Sequence, residues 1–147
     1  MKVIVDADAC PVTNIIIEET EGIAIPVTLV KNYNHFSMET YPDHVTVTYV
    51  DDGADEADYR IVQLVGSEDI VVTQDYGLAS LCLQKDCHVL HHKGFRYRKE
   101  KIDQMLQERH MSAKMRKAGK RTKGPKKLTN EDKDSFRNAL RKLLPYH

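Results

Sequence analysis

The sequence predicts an α/β protein in which a doubly wound, mostly parallel sheet is followed by a basic helical C-terminal extension. Apolar runs typical of buried strands alternate with helical periodicity over short connections, which favours right-handed parallel crossovers. The charge is also divided: residues 1–92 carry 4 Lys and Arg against 16 Asp and Glu, whereas residues 93–147 carry 18 against 6. We therefore expect an α/β domain over residues 1–95 and a basic extension over residues 96–147.

The strands are predicted from short apolar runs between turn residues. Ile70–Thr73 is uninterrupted, as expected of a central parallel strand that is covered on both faces. Val45–Val50 instead alternates apolar residues with Thr. The five predicted strands are Lys2–Val5, Ile23–Val30, Val45–Val50, Ile70–Thr73 and Cys87–His91, and the irregular residues 31–44 predict a loop or short helix.

Helices are predicted between these strands from periodicity and from the residues at their ends. The first begins at Pro11, whose fixed φ suits a first turn, and stops at Gly22. The second follows Asp55, a natural N-cap, and is closed by Gly66. The third runs from about Tyr76 to Lys85, which completes a strand–helix alternation.

The C-terminal extension is predicted to contain two helices separated by a basic loop. A charged helix is expected from Arg98 to about Lys117, and residues 117–128, which lack apolar periodicity, are expected to form a mobile loop. A final helix begins at Thr129, an N-cap with Asp132 three residues later. Its apolar residues need a partner surface, which we expect the α/β domain to provide.

Length and composition exclude several classes of protein. With 147 residues and 41% apolar or aromatic residues, the chain can bury one good core. No run approaches the roughly 18 apolar residues of a membrane span, and the beginning lacks the features of a signal peptide, so we expect a cytoplasmic protein without a membrane partner. Three cysteines without CxxC spacing argue against a disulfide framework or a zinc cluster.

Carboxylates follow three of the predicted strands. Asp6 and Asp8 come after the first strand, Asp55 and Asp58 share one face in the first turn of the second helix, and Asp75 follows the fourth strand. Crowded carboxylates at this edge of a sheet are relieved by protonation or by a bound cation, and Mg²⁺ and Mn²⁺ prefer oxygen ligands. This predicts a site for Mg²⁺ or Mn²⁺, with helix capping as the alternative role of Asp55 and Asp75.

A metal site of this kind would suit phosphodiester hydrolysis, and the basic extension would hold the phosphates of a nucleic acid. The alternative is that the extension simply folds back onto the acidic face. His35 and Asn32 in the irregular loop are candidates for touching substrate. Further candidate substrate-binding residues are Arg96 and Arg98, and Lys120 and Arg121 in the basic loop. Phe95, Tyr97 and Arg98 interleave aromatic and basic residues and could stack bases, with packing against the sheet as the alternative for Phe95.

Three separated motifs carry a resemblance to a known family. They are Asp6-Ala7-Asp8-Ala9-Cys10-Pro11-Val12, Asp52-Gly53-Ala54-Asp55-Glu56-Ala57-Asp58 and Val72-Thr73-Gln74-Asp75-Tyr76-Gly77-Leu78-Ala79. In this order they resemble the bacterial YaiI/YqxD family, whose members are poorly characterised. The resemblance covers nearly the whole chain.

More distantly, the same order is similar to PIN-like and NYN nuclease domains, which implies a PIN-like fold and metal-dependent ribonuclease chemistry. By position this likeness points to Asp6, one or both of Asp55 and Asp58, and Asp75 as metal ligands. PIN-type domains often carry a further acidic residue soon after the Thr-x-Asp motif. Here the next acidic residue is Asp86, beyond a helix, so an altered or inactive site stays open.

Two other functions remain open from the sequence. A phosphatase of the haloacid-dehalogenase kind would use Asp6 as nucleophile and Asp8 as acid/base, with Lys31 as the available cation. A non-catalytic RNA-binding protein would use the basic loop alone, and its acidic residues would be helix caps. The oligomeric state is not predicted.

Overall fold

The computed structural model describes residues 1–53, 55–104, 106–108 and 127–145. At its centre lies a sheet of five parallel strands in the order β3-β2-β1-β4-β5. The predicted doubly wound α/β class is therefore confirmed, and all pairings between these strands are parallel. The strands are β1 (Val3–Asp6), β2 (Val27–Asn32), β3 (Val45–Val50), β4 (Ile70–Val72) and β5 (His88–Leu90).

Helices connect and cover the strands. A 3-10 turn over Tyr33–His35 follows β2, which agrees with the predicted loop or short helix. The helices are α1 (Thr13–Thr20), α2 (Glu56–Leu64), α3 (Tyr76–Leu83), α4 (residues 99–104 and 106–108) and α5 (Asn130–Leu143). Within the described ranges, no helix is long and apolar enough to cross a membrane.

The sheet is buried on both faces, because successive side chains of each strand point to opposite sides. On one face, Val3 and Val5 pack in a core with Ile16 of α1 and with Phe136 and Leu140 of α5. The opposite core takes Ile4 and Val71 from the sheet together with apolar side chains of α2 and α3, among them Ile61, Leu78 and Ala79. This two-sided burial explains why the central strands β1 and β4 are almost wholly apolar, whereas the partly exposed edge strand β3 alternates apolar residues with Thr.

Strand β2 begins later than the sequence indicates. The prediction was Ile23–Val30, but the strand starts at Val27 because Ala24 adopts a positive φ of 58° and Pro26 has no N–H to donate to a strand pair. The strand then extends to Asn32, pairing with β3 along its whole length. The remaining predicted strands and the helices between them lie within a few residues of the observed ones. The charged helix expected from Arg98 to about Lys117 is observed over residues 99–104 and 106–108, and residues 109–117 lie outside the described part of the chain.

Helix α5 is held to the rest of the protein by apolar and charged contacts. The predicted cap is confirmed, since Thr129 and Asp132 form a reciprocal capping box. On the surface of the helix, Arg137 and Arg141 hydrogen-bond to the buried carboxylate of Glu19 in α1. The predicted partner surface of the terminal helix is thus the main sheet and α1. Of the predicted loop 117–128, only residues 127 and 128 lie within the described part of the chain.

Candidate functional site

The order of the strands creates a crevice between β1 and β4. From β1 the chain moves outward through β2 to β3, and β4 then returns to the other side of β1. In open α/β sheets, ligands bind at the carboxyl ends of the strands where the order reverses in this way. Asp6 is the last residue of β1, and Thr73 directly follows β4. The first and last of the predicted acidic motifs therefore meet at this point.

A buried threonine connects the two sides of the crevice. The Thr73 hydroxyl donates to Asp6 Oδ2 at 2.9 Å and accepts from the Asp75 N–H at 3.0 Å. Asp75 in turn accepts from the Leu78 N–H at 3.1 Å, so it caps α3 as the alternative interpretation expected. Thr73 was not among the predicted site residues. The signal for it was its place two residues before a helix-capping Asp, where a hydroxyl commonly bonds to the backbone.

Helix α2 brings two more carboxylates towards Asp75. Asp55, Asp58 and Asp75 all line one cavity of about 630 Å³ between α2 and α3. Asp55 occupies the N-cap position with a positive φ of 71°, yet its side chain makes no capping hydrogen bond. The capping role expected of its side chain is therefore not observed. We call Asp6, Asp55, Asp58 and Asp75 the acidic crevice.

The carboxylates of the acidic crevice influence one another. Burial raises the pKa of Asp58 to about 6, and the charges of Asp75, Asp6 and Asp55 add to that increase. Burial also raises the pKa of Asp6, with Asp75 and Asp8 adding to the shift and the Thr73 hydrogen bond opposing it. Part of the crevice thus exchanges protons close to neutral pH, where an ordinary aspartate is fully ionised.

Asp8 is held on the β2 side of the crevice. Its Oδ1 accepts from the Asn32 N–H at 2.9 Å, and a 2.7 Å hydrogen bond joins the same oxygen to His35 Nδ1. The Asn32 side chain accepts from the Asn34 N–H, which fixes the turn after β2. The structure therefore brings Asp8, Asn32 and His35 together as a group next to Asp6. Lys31 of the phosphatase interpretation donates to Tyr41 at 3.1 Å.

The two described arginines of the predicted substrate-binding set lie elsewhere. The backbone of Arg96 forms an isolated antiparallel β-bridge with Leu90 at the outer edge of β5, and its guanidinium group contacts the His88 ring. Arg96 and Arg98 are exposed, and both line a cavity of about 410 Å³ against α5. They are thus separated from the acidic crevice by β5. Lys120 and Arg121 lie outside the described residues.

The acidic crevice suits a hard divalent cation by its chemistry, because its donors are all carboxylate oxygens. The geometry of the acidic crevice, however, is not that of a formed metal site. In the described part of the chain, no group of three or more His, Cys, Asp or Glu side chains is arranged to hold a metal ion. The hydrogen bonds of Asp6 to Thr73 and of Asp75 to Leu78 keep these carboxylates on their own strand ends. The residues fit Mg²⁺ or Mn²⁺ as donors, and coordination would require them to move closer together.

Comparison with known proteins agrees with the motif resemblance. The sequence profile of a family described as "Uncharacterized BCR, YaiI/YqxD family" matches residues 4–145. The chain belongs to this family. Three of its relatives are UPF0178 proteins. That of Oceanobacillus iheyensis is 62% identical over 136 residues, 92% of this chain and 93% of the relative. That of Bacillus thuringiensis subsp. konkukian is 58% identical over 145 residues, 99% of both chains, and that of Bacillus cereus strain G9842 is 56% identical over 146 residues, 99% and 100%.

No solved structure matches the chain. The names of these relatives state no activity, ligand or partner. The function of this YaiI/YqxD member therefore has to be inferred from the crevice itself.

Proposed function

We propose that this protein is a divalent-metal-dependent nuclease that hydrolyses phosphodiester bonds, with RNA favoured over DNA. The observation that carries the proposal is the convergence of Asp6 and Asp75 on the Thr73 hydroxyl at the point where the strand order reverses, with Asp55, Asp58 and Asp75 lining one cavity beside it. Carboxylates crowded in this way are relieved by a proton or by a cation, and the donor set favours Mg²⁺ or Mn²⁺.

In this proposal Asp6, Asp75 and one or both of Asp55 and Asp58 would hold the metal. The chemistry that a metal would supply there is a lowered pKa of bound water and neutralisation of charge on the phosphodiester. Thr73 orients the Asp6 carboxylate through its 2.9 Å hydrogen bond. The pKa of Asp58, raised to about 6 in the protein without metal, would fall beside a bound cation, so metal binding would release protons near neutral pH.

The charge distribution of the chain supports a polyanionic substrate. The first 92 residues have a balance of −12 and the remaining residues a balance of +12. An acidic crevice alone would repel nucleic acid, so a separate cationic segment is needed to hold the phosphate backbone. The basic C-terminal segment has that charge, and the preference for RNA rests on the likeness of the three motifs to PIN-like ribonuclease domains.

The test is cleavage of 5′-fluorescein-labelled single-stranded RNA and DNA of one sequence, with MnCl₂, MgCl₂ or EDTA. We expect cleavage that requires the metal and falls by about 100-fold or more in Asp6→Asn and Asp75→Asn. Asn at position 75 still caps α3, so its effect reports the lost charge. The matched control is Asp43→Asn, the same change at an exposed position before β3.

Each other outcome has a clear meaning. Binding of RNA without cleavage in any metal would contradict the nuclease proposal and favour a non-catalytic binding protein. A phosphate trapped covalently on Asp6 after incubation with a phosphomonoester would favour the phosphatase. Equal activity in Asp6→Asn, Asp43→Asn and wild type would show that the acidic crevice is not the site.

A further inference from the structure

A second groove lies beside the acidic crevice, across the carboxyl ends of β1, β4 and β5. It has a volume of about 460 Å³ and is lined by residues that follow each of these strands. Tyr76, one of the lining residues, is the immediate neighbour of Asp75. Tyr97, behind the groove, donates from its hydroxyl to the carbonyl of Thr73 at 3.2 Å. We call this the aromatic groove. Tyr76 and Tyr97 are joined to the acidic crevice, the first by the chain and the second by its hydrogen bond to Thr73.

Aromatic rings in fixed positions form one wall of the aromatic groove. The rings of His91 and Phe95 are stacked, with centroids 4.3 Å apart and an interplanar angle of 14°. Phe95 and Tyr76 both pack edge-on against Tyr97. The turn that carries them is closed by hydrogen bonds, because the His91 N–H donates to the Phe95 carbonyl and the Gly94 N–H donates to the His91 carbonyl. The wall is therefore formed before any ligand arrives.

Among the described residues, one that lines the aromatic groove has a buried polar atom without a hydrogen-bond partner. His92 lines the groove and is only 3% exposed, and its Nε2 makes no hydrogen bond within the described structure. Buried polar atoms are nearly always paired, so an unpaired one beside a groove points to a ligand that supplies the missing bond. Burial lowers the pKa of His92 to about 4, so the ring is neutral at pH 7 and offers a donor or acceptor without charge.

Two cations stand at the rim of the same groove. Lys93 and Lys127 are exposed and both line it. None of the described residues that line the groove is acidic, and the nearest carboxylate to act on it is that of Asp132, whose charge interacts with Lys93 and His91. The groove therefore combines flat aromatic surface, one neutral hydrogen-bonding group and two positive charges. That combination complements a nucleotide, which has a planar base with polar edges and a phosphate.

We propose that the aromatic groove binds one nucleotide of a single-stranded nucleic acid, with the base against the Phe95 wall and the phosphate between Lys93 and Lys127. This inference rests on the proposed nuclease function, because it assigns the groove to the same substrate. It places the bound nucleotide next to the one that enters the acidic crevice. A single strand is required, since bases within a duplex cannot reach an aromatic wall.

Binding is measured on the full chain in EDTA, which separates it from any cleavage. The probe is a fluorescein-labelled single-stranded oligonucleotide, compared with an abasic oligomer of equal length. We expect Phe95→Leu to weaken binding of the oligonucleotide by about 5- to 100-fold and to leave binding of the abasic oligomer unchanged. Lys93→Gln and Lys127→Gln should each reduce the slope of log K against log salt by about 0.7. The control is Lys85→Gln, at an exposed position on the opposite edge of the sheet.

A measurement on the wild-type protein guards against a Phe95→Leu variant that fails to fold. Titration with adenosine 5′-monophosphate should shift the ring ¹⁵N resonances of His92, because its Nε2 gains a partner. The proposal is overturned if Phe95→Leu binds both oligomers like wild type, if the lysine variants match Lys85→Gln, or if the His92 signals do not move. If the groove binds the oligonucleotide but no cleavage occurs, only the nuclease proposal is rejected. If cleavage depends on Asp6 but Phe95→Leu leaves KM unchanged, only the groove proposal is rejected.

Discussion

Replacing Asp58 by Asn is expected to stabilise the metal-free protein at neutral pH. The pKa of this carboxyl rises from 3.8 to about 6 on folding, so the folded protein holds the proton more tightly than the unfolded chain. Stability from this group is therefore greatest at low pH, falls as the pH rises from about 4 to about 6, and is constant above that. Asn has nearly the same shape as Asp and carries no charge, so the variant avoids the free-energy cost of ionising Asp58 in the folded protein.

The size of the gain follows from the shift. Two pKa units correspond to about 3 kcal/mol, but Asp58 is only partly buried, and solvent screening reduces this to about 1–1.5 kcal/mol. For a protein of this length, a gain of that size raises the unfolding temperature by about 3–6 °C. The penalty arises first from burial of the carboxylate and then from the nearby charges of Asp75, Asp6 and Asp55.

The assay is urea unfolding of wild type, Asp58→Asn and the exposed control Asp134→Asn in EDTA at pH 4 and pH 7.5. We expect the gain of Asp58→Asn at pH 7.5 and little difference at pH 4, where the carboxyl is protonated in the folded protein. A gain that is equal at both pH values would contradict the electrostatic explanation. So would a gain no larger than that of Asp134→Asn.

Two further predictions concern the attachment of α5, and both are checked by urea unfolding. Gly94→Ala should destabilise the protein by about 2–3 kcal/mol, because Gly94 has a φ of 94° and a Cβ at this position would lie 2.6 Å from the Ser135 carbonyl carbon. The control is Gly22→Ala, which has a similar φ of 88° but open space around it and should cost about 1 kcal/mol. Glu19→Gln should cost about 2 kcal/mol at pH 7. Hydrogen bonds from Arg141 and Arg137 hold the pKa of Glu19 below 4.5. The contribution of its charge to the free energy of unfolding is therefore present above pH 4.5 and is lost as the pH falls further. This pH dependence should be absent from Glu19→Gln.

The fold was predictable because its strands have an unambiguous pattern. Ile70–Val72 is buried on both faces, and its wholly apolar sequence follows directly from that burial. The start of β2 was not predictable from the same rule. Ile23 and Ile25 are apolar and pack in the core, but they belong to the turn before the strand. An apolar run alone does not show whether its residues lie in a strand or in a buried turn before it.

The acidic crevice was predictable in part, for a geometric reason. The carboxyl ends of parallel strands share one edge, so Asp6 and Asp75 were bound to lie at the same edge once β1 and β4 were recognised. The bridging hydroxyl of Thr73 and the diversion of Asp8 towards Asn32 depend on which strands are neighbours. That order is decided by tertiary packing, which spacing along the chain does not encode. The sequence named Phe95 and Tyr97 as residues that could stack bases, but it did not predict the aromatic groove itself, because the groove requires β4 and β5 to be adjacent.

The late position of α5 in the sequence has a consequence for biosynthesis. Glu19 meets Arg137 and Arg141 across 118 and 122 positions, and Phe136 packs in a core with Val3, Val5 and Ile16, which are made much earlier. While the ribosome is still translating, one side of the sheet thus lacks the part of its cover that α5 provides. Native assembly has to wait for residues 130–144, and the nascent chain meanwhile exposes a sticky surface that chaperones recognise. Premature stop codons upstream of residue 130 should therefore yield polypeptides that aggregate rather than shortened working proteins.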